Sequence, residues 1–167
     1  MRQRSIVRAQ DAAPSRLPAH VAHFIRSARI AHLATADRFG QPHGVPICFA
    51  FDGKCFYSPI DEKPKRSAPA KLKRLRNIRD NPQVSLVIDY YEEDWSKLCY
   101  VLITGTARIL QRGESHHRAV TLLRKKYSHY RRMQIDTRPI IVITPKRITF
   151  WAATDSLERR HQSGKFS

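Results

Sequence analysis

Alternating apolar and polar positions along most of the chain predict short β-strands rather than helices. The β-prone runs occupy residues 30–37, 44–51, 55–60, 83–91, 99–111, 140–145 and 147–153. Most connections between consecutive runs are too short for the crossover that parallel strands require, so antiparallel pairing is favoured. The pattern therefore predicts a mainly β protein with six to seven antiparallel strands and peripheral helices. Closure into a barrel would remove the exposed edges of the sheet.

Three segments show the helical spacing of apolar residues. They cover residues 17–28, 71–79 and 114–130. In the second segment Leu72, Leu75 and Ile78 recur at three-residue intervals, which predicts an amphipathic helix with one apolar stripe. Asn81-Pro82 is expected to end this helix.

Turn and breaker residues set the boundaries between the predicted strands. Asp52-Gly53 separates two β-prone runs and is the clearest hairpin signal in the chain. Gly105 lies inside a long strand pattern and predicts a bulge or bend. Arg138-Pro139 is expected to restart the sheet after the last helix, with the runs 140–145 and 147–153 as separate strands.

The length of 167 residues suits one domain with a real core. We expect that domain over residues 17–155, preceded by a basic, mobile arm of residues 1–16 and followed by a polar tail of residues 156–167. An ordered N-terminal leader that packs on a partner subunit is the alternative for the arm. The N-terminus has no apolar core of signal-peptide length, and no apolar run is long enough to cross a bilayer.

Cysteine usage favours a reduced environment. The three cysteines, Cys48, Cys55 and Cys99, form an odd number without a CxxC spacing. We therefore expect a cytoplasmic protein with structural thiols rather than disulfides. The eight histidines do not combine with Cys or carboxylates at metal-ligand spacing, so no metal site is expected.

The net charge of +17 indicates an affinity for polyanions. The segment from Asp61 to Arg79 alone carries eight Lys and Arg against two acidic residues. A solvated basic surface is the simplest explanation of such a run. Phosphate-bearing cofactors and nucleic acids are the functional alternatives, and charge alone does not choose between them.

The turn from Tyr57 to Lys65 is the strongest candidate site. It follows a predicted strand directly, and Pro59 and Pro64 stiffen it, which favours an ordered arrangement. The Ser58 hydroxyl can donate a hydrogen bond to a phosphate oxygen. Two ammonium groups and a guanidinium group can add charged contacts, from Lys63, Lys65 and Arg66.

Two further segments have residues suited to binding a flat ring. In Pro42-His43-Gly44-Val45-Pro46, the glycine permits a close approach to the backbone and the second proline removes a hydrogen-bond donor. His43 is either an acid/base or ring contact or a surface turn histidine. In the acidic patch 90–95, Trp95 can form one wall of a groove or cap the core.

Taken in order, these segments resemble the pyridoxamine 5'-phosphate oxidase-like superfamily of split β-barrel flavoproteins, of the FMN-binding-protein type. More narrowly, they resemble its coenzyme F(420)-dependent branch. The resemblance is carried by ARIAHLATAD, PHGVPICFAFDGK, YSPIDEKPKR, LKRLRNIRDNPQVSLVIDYYEEDW, TGTARIL, LLRKKYSHYRR and PKRITFW, between Leu17 and Ala153.

The resemblance implies a homodimer with the cofactor, FMN or coenzyme F(420), in the groove between two barrels. The phosphate contacts would come from Ser58, Lys63, Lys65 and Arg66. The backbone of Val45, Pro46 and Ile47 would lie against the ring. Trp95 and Trp151 would lie near the groove. Phe150 stands where a small residue is expected, and Cys99-Tyr100 where an aromatic pair is commoner. The substrate pocket is therefore expected to differ, and oxidation of pyridoxamine phosphate itself is not expected.

The implied activity is hydride transfer between the bound ring and a small conjugated or quinone-like substrate. His43 and Tyr57 are the candidate acid/base groups. The excess positive charge favours the deazaflavin, whose polyglutamate tail would follow the helix 71–79. The alternatives are a cofactor carrier or sensor without turnover, and a nucleic-acid-binding module that uses the helices 71–79 and 118–132. The aromatic residues follow strand patterns and are not interleaved with cations, which argues against the last.

Overall fold

Antiparallel strands form most of the part of the chain that the structure, a computed structural model, describes: residues 10–12, 17–60 and 72–153. The strands are β1 (Gln10–Ala12), β2 (Ala31–Ala36), β3 (Pro42–Ile47), β4 (Ala50–Phe51), β5 (Phe56–Pro59), β6 (Gln83–Tyr90), β7 (Cys99–Leu110) and β8 (Ile140–Ala152). The α-helices are α1 (Ala19–Ser27), α2 (Lys73–Asp80) and α3 (Glu114–Lys126). Short 3₁₀ turns cover Trp95–Lys97, Ser128–Arg131 and Ile135–Thr137.

Seven strands lie side by side in the order β3-β2-β6-β7-β8-β5-β4, and β1 adds to β8. The two end strands of this order, β3 and β4, are consecutive in the chain and are joined by only Cys48 and Phe49. A two-residue connection forces the two edges of the sheet to meet, so the sheet curls into a half-barrel. The predicted mainly β, antiparallel split barrel is confirmed.

The run 44–51, predicted as one strand, is divided between β3 and β4. The strands have different neighbours, since β3 pairs with β2 and β4 pairs with β5. Between them, the Phe49 amide donates to Tyr127 Oη at 3.1 Å. The Phe49 side chain is fully buried. The prediction of a single strand is wrong because the chain crosses from one edge of the sheet to the other at this point.

The Asp52-Gly53 hairpin is confirmed by the pairing of β4 with β5. The predicted irregularity at Gly105 is also confirmed, because the register of β7 against β8 shifts between Thr104 and Gly105. A Cβ atom at Gly105 would collide with the Thr144 carbonyl oxygen. The two strands predicted for residues 140–145 and 147–153 are one strand, β8, whose extra residue is accommodated opposite this glycine.

The predicted helices differ from the observed ones mainly at their ends. The first begins at Ala19 and ends at Ser27 rather than covering 17–28. The second begins at Lys73 because Leu72 has an extended backbone, and it continues to Asp80. The third ends at Lys126 rather than at residue 130, because Tyr127 is extended.

The buried side of α3 anchors the crossing between the two sheet edges. Tyr127 Oη lies 2.7 Å from the Arg29 carbonyl oxygen, besides accepting from Phe49. Beside it, Lys126 Nζ lies 3.9 Å from the centre of the Phe49 ring. This ammonium nitrogen is buried and has no hydrogen-bond partner among the described residues.

Two apolar clusters fill the molecule. The larger one lies inside the half-barrel and includes Leu33, Phe56, Ile103 and the Leu75 side chain of α2. The smaller one lies between α3 and the outer side of β5 and β8, and includes Tyr57, Leu123 and Val142. The predicted apolar stripe of α2 is therefore its buried face.

Part of the segment predicted as a terminal arm belongs to the sheet. Within residues 1–16, Gln10–Ala12 pair antiparallel with Ile148–Phe150 of β8. The limits of the proposed arm, domain and tail stay predictions. None of the helices in the described ranges is long and apolar enough to cross a membrane.

Candidate functional site

The edge strand β3 has one side turned to the interior and one side turned outward. Exposure alternates along it, with Gly44 and Pro46 exposed, Val45 partly buried and Ile47 buried. Val45 packs against the interior cluster. The residues of the predicted ring-binding segment therefore lie alternately on the two sides of β3, and only its glycine and prolines face outward.

Gly44 has open space beside it on this strand. A Cβ atom built there would meet nothing within 4 Å among the described residues. Pro42 and Pro46 lie two residues to either side of it, and proline contributes no amide hydrogen. A flat ring can thus approach the strand backbone at Gly44 without displacing a side chain.

Cations from α2 lie beside the first half of β3. The pKa of His43 is lowered, first by its partial burial and then by the positive charges of Lys73 and Arg74. The helix is fixed at this place because Asn77 Nδ2 donates to Thr35 Oγ1 at 3.0 Å, and the Thr35 hydroxyl lies 3.3 Å from the His43 carbonyl oxygen. The helix N-terminus therefore gives a positive potential to the His43 side of β3, which is opposite to the outer side at Gly44.

The lowered pKa defines what His43 can do chemically. Its imidazole is neutral near pH 7, since the ordinary value of 6.5 is already below that pH. A neutral imidazole can accept a proton or share its ring hydrogen, but it is a poor source of a second proton. Its role as an acid/base group stays a prediction.

Tyr57, the other candidate acid/base group, is held by the β4–β5 hairpin. Its hydroxyl donates to Asp52 Oδ2 at 2.7 Å. Burial, and next this bond to a carboxylate, raise the pKa of Tyr57 well above its ordinary value. The phenol therefore keeps its proton near neutral pH and donates it in the hydrogen bond to Asp52 within the hairpin.

Asp52 organises this turn. Burial alone would raise its pKa, but hydrogen bonds from the Cys55 amide, the Tyr57 hydroxyl and the Lys54 amide together lower it. The two amides donate to Oδ1 at 2.7 and 2.8 Å. The carboxylate stabilises the turn through three donors, so the local geometry accounts for Asp52 and Tyr57 without any ligand.

Of the predicted phosphate contacts, the structure describes only Ser58. Ser58 is 3% exposed and lies on β5. Extending the β4–β5 register by one residue places it opposite Phe49, close to the end of β3. Lys63, Lys65 and Arg66 lie outside the described residues. The phosphate contacts stay a prediction.

The two tryptophans lie at the end of the barrel remote from α2. Trp95 is 67% exposed in the turn between β6 and β7. Trp151 is partly buried on β8 and stacks on Tyr100, with ring centres 5.8 Å apart. β3 is an end strand of the sheet order, whereas Trp151 lies on β8 opposite Tyr100 of β7.

Tertiary structure reveals contacts that the sequence patterns did not. Lys73 and Arg74 were part of a helix expected to follow a cofactor tail or to face water, yet they act on His43. The partnership of Asp52 with Tyr57 was also missed, although a tight hairpin brings such positions together. Only this second pairing had a signal in the sequence.

Cysteine and metal chemistry receive no support from the described residues. Cys48, Cys55 and Cys99 are free thiols. Within residues 17–60 and 72–153, no three His, Cys, Asp or Glu side chains come together in a group that would hold a metal ion. The expectation of a site without metal stays a prediction for the whole chain.

Comparison with known proteins gives a family and several similar folds. The family model described as Pyridoxamine 5'-phosphate oxidase matches residues 17–152. No curated protein is similar enough in sequence to count as a match.

Solved structures share the fold at low sequence identity. The conserved hypothetical protein Rv2991 from Mycobacterium tuberculosis has a TM-score of 0.67 and 24% identity over 92% of this chain and 91% of its own. HutZ, the heme storage protein from Vibrio cholerae, has a TM-score of 0.64 and 16% identity over 82% and 94%. A structure described as F420 Reductase has a TM-score of 0.57 and 20% identity over 79% and 98%.

Proposed function

The chain belongs to the pyridoxamine 5'-phosphate oxidase family, and from that premise we propose that it binds a flavin-type cofactor, coenzyme F(420) or FMN, on the outer side of β3. The proposed activity is hydride transfer between this cofactor and a small conjugated or quinone-like organic substrate. The observation that carries the proposal is the open backbone at Gly44 on the outer side of this end strand.

The described residues suit the ring part of such a cofactor. The outer side of β3 is exposed at Gly44, which leaves room for a ring at van der Waals distance from the backbone. Lys73 and Arg74 provide positive charge near this strand. A positive potential favours an electron-rich, anionic ring system over its neutral competitors.

The bound ring would supply the hydride chemistry, and the protein would supply position and electrostatics. In the proposed site, the backbone from Val45 to Ile47 orients the ring. His43 turns to the opposite side of β3 from Gly44, so as a proton acceptor or ring contact it would reach the ring around the edge of the strand. Ser58, Lys63, Lys65 and Arg66 hold the phosphate.

We propose a homodimer with the cofactor at the subunit groove. Partly buried apolar side chains lie on the outer side of the sheet, at Val87, Leu102 and Trp151. Exposed apolar surface of this kind marks an interaction site. In the proposed dimer, Trp95 and Trp151 lie near the groove that holds the cofactor.

Charge favours coenzyme F(420) over FMN. Arg76 and Arg79 are exposed on α2, downstream of the cations near His43. A polyglutamate tail carries several carboxylates that these groups can pair with, whereas FMN has no tail. The fold shared with the F420 Reductase structure is consistent with this choice. The fold shared with HutZ, a heme storage protein, supports the competing function, which is a cofactor carrier without turnover.

A bulky residue at Gly44 tests the site directly. Gly44→Val should leave the folded protein intact, because there is open space and valine favours strands. It should weaken binding of the cofactor at least about tenfold, as lost contact area of this size implies. Fluorescence titration with coenzyme F(420) and with FMN measures both affinities.

The control for this experiment is Gly40→Ala, in the turn before β3, where a Cβ atom would also meet nothing within 4 Å. The positive φ of Gly40 should cost this control some stability but no cofactor affinity, so unfolding is measured for both variants. Unchanged titration curves for Gly44→Val would contradict the proposed ring site. Tighter binding of FMN than of coenzyme F(420) would reverse the choice of cofactor.

Two assays separate the proposal from its rivals. Turnover of reduced cofactor with quinone-like acceptors is expected, and its absence with every acceptor would favour a carrier. A gel-shift experiment at moderate salt should show no sequence-specific retention of nucleic acid. Such retention would make the cations of α2 a nucleic-acid contact instead.

A further inference from the structure

We propose that His32, held by Asp89, is the catalytic residue that exchanges a proton with the substrate on the ring side of β3. This inference rests on the proposed function, because it names the group that acts beside the bound ring. Neither side chain belongs to a motif that marks it in the sequence. The evidence is the register of three strands together with one ion pair.

The strand register places His32 on the same side of the sheet as Gly44. Residues that lie directly opposite each other in an antiparallel pair share a side of the sheet. His32 lies opposite Pro46, and Ala34 lies opposite Gly44. Burial alternates along β2, with His32 and Ala34 exposed and their neighbours in the strand buried. A ring over Gly44 and Pro46 would therefore border the imidazole of His32.

His32 differs from His43 in the side of the sheet to which it turns. His43 lies opposite Thr35, whose side chain is buried. The other outer residues of these two strands have no ionisable side chain; they are Ala34, Ala36, Pro42, Gly44 and Pro46. Within the described strands β2 and β3, His32 is thus the group that can exchange a proton on the ring side.

Asp89 positions the imidazole. Its Oδ1 lies 3.5 Å from His32 Nδ1. Val87 is the partner of His32 on β6, so the carboxylate two residues further on reaches the ring along a diagonal of the sheet. A carboxylate at Nδ1 favours the tautomer with its hydrogen on that atom, which leaves Nε2 for proton exchange. The same carboxylate stabilises the imidazolium form.

The pair is accessible to a substrate in the single chain. The His32 side chain is 59% exposed and that of Asp89 is 52% exposed. Val87, beside them, belongs to the outer apolar side chains at the proposed subunit contact. A second copy there would exclude water from the imidazole. Because an exposed ion pair contributes little to stability, replacing either residue should leave the fold intact.

The proposed step reduces the carbon–carbon double bond of a conjugated ketone. The β-carbon of the substrate receives a hydride, with its two electrons, from the reduced cofactor, which is thereby oxidised. The enolate that forms takes a proton at its α-carbon from Nε2 of protonated His32. The substrate gains two hydrogen atoms in all, and His32 regains its proton from water.

The first test uses reduced coenzyme F(420) and cyclohexenone with the full chain. His32→Ala should lower kcat at least about a hundredfold, because general acid catalysis contributes a factor of that order. Its affinity for oxidised cofactor, measured by fluorescence titration, should be nearly unchanged because the β3 backbone is intact. Added imidazole should restore part of the turnover. His117→Ala removes an exposed histidine of α3 and is the matched control, with full turnover and no response to imidazole.

The second test is NMR of the ring nitrogens. Oxidised coenzyme F(420) should move the His32 signals and leave those of His117 in place. Asp89→Asn should shift the His32 signals of the free protein towards a mixture of tautomers. It should also lower kcat at least about tenfold with little change in KM, because a positioning residue acts on the chemical step.

The outcomes separate this inference from the proposed function. Full turnover in His32→Ala would overturn the inference and leave the proposed function in place. Loss of turnover that imidazole does not restore, with His32 signals that do not respond to the cofactor, would overturn it as well. A wild-type protein without cofactor binding or turnover would contradict the proposed function and the role of His32 with it.

Discussion

Strands β3 and β5 both carry candidate site residues, yet their surroundings are opposite. β3 is an end strand with alternating exposure, and the space outside Gly44 is open. All four residues of β5 are buried, because the interior cluster covers one side and α3 covers the other. A strand can bind a cofactor only on a side that no other element covers, so β3 is the better site in the described structure.

The largest expected difference between the two strands is in stability. Phe56→Ala on β5 should lower the free energy of unfolding by about 3–5 kcal/mol, because the ring is fully buried against Phe49 and Phe51. Val45→Ala on β3 should cost about 1 kcal/mol, because that side chain is only partly buried. Urea unfolding measures both. Equal losses would mean that β3 is as enclosed as β5.

A smaller effect tests whether Tyr57 is structural. Tyr57→Phe should lower the free energy of unfolding by about 1 kcal/mol near neutral pH, because Asp52 loses one hydrogen-bond donor. The pKa of Asp52 is lowered in the folded protein. Its contribution to stability is therefore present above its ordinary pKa and is lost as the pH falls.

The difference in the free energy of unfolding between wild type and Tyr57→Phe should therefore become smaller in mild acid. Urea unfolding at neutral and acidic pH measures it, and an Asp52→Asn background should abolish it. Turnover should be unchanged by Tyr57→Phe. Loss of turnover with intact stability would instead make Tyr57 part of the chemistry on β5.

The smallest effect concerns the electrostatics of β3. Lys73→Gln should raise the pKa of His43 towards its ordinary value, because one of the causes of its depression is removed while its burial remains. Titration of the His43 ring signals by NMR measures the change. Lys54→Gln, an exposed lysine on the β4–β5 hairpin, is the control and should not move it. The same shift in both variants would point to net charge rather than to α2.

The fold was predictable where the signal was local. Asp52-Gly53 fixed the hairpin, Gly105 marked the irregularity, and the stripe through Leu75 and Ile78 identified the buried side of α2. The division of the run 44–51 was not predictable. It depends on Tyr127, which reaches Phe49 from a distant part of the sequence.

The candidate site was predictable in its residue types but not in its arrangement. The glycine and prolines of β3 predict by themselves a backbone that a flat ring can approach, and the space beside Gly44 is open in the structure. The effect of Lys73 on His43 depends on how α2 packs on β2 through Asn77 and Thr35. Such pairs are separated by many residues, and periodicity in one segment does not report them.

The buried amine of Lys126 makes folding a proton-linked reaction. Burial, and next the charge of Arg29, lower its pKa from 10.5 to about 7. Between these two values the unfolded chain holds a proton that the folded chain has released, so this residue makes the folded state more stable as the pH rises from about 7 to 10.5. Unfolding in that window takes up a proton from the solvent. The heat of unfolding should therefore depend on the ionisation enthalpy of the buffer.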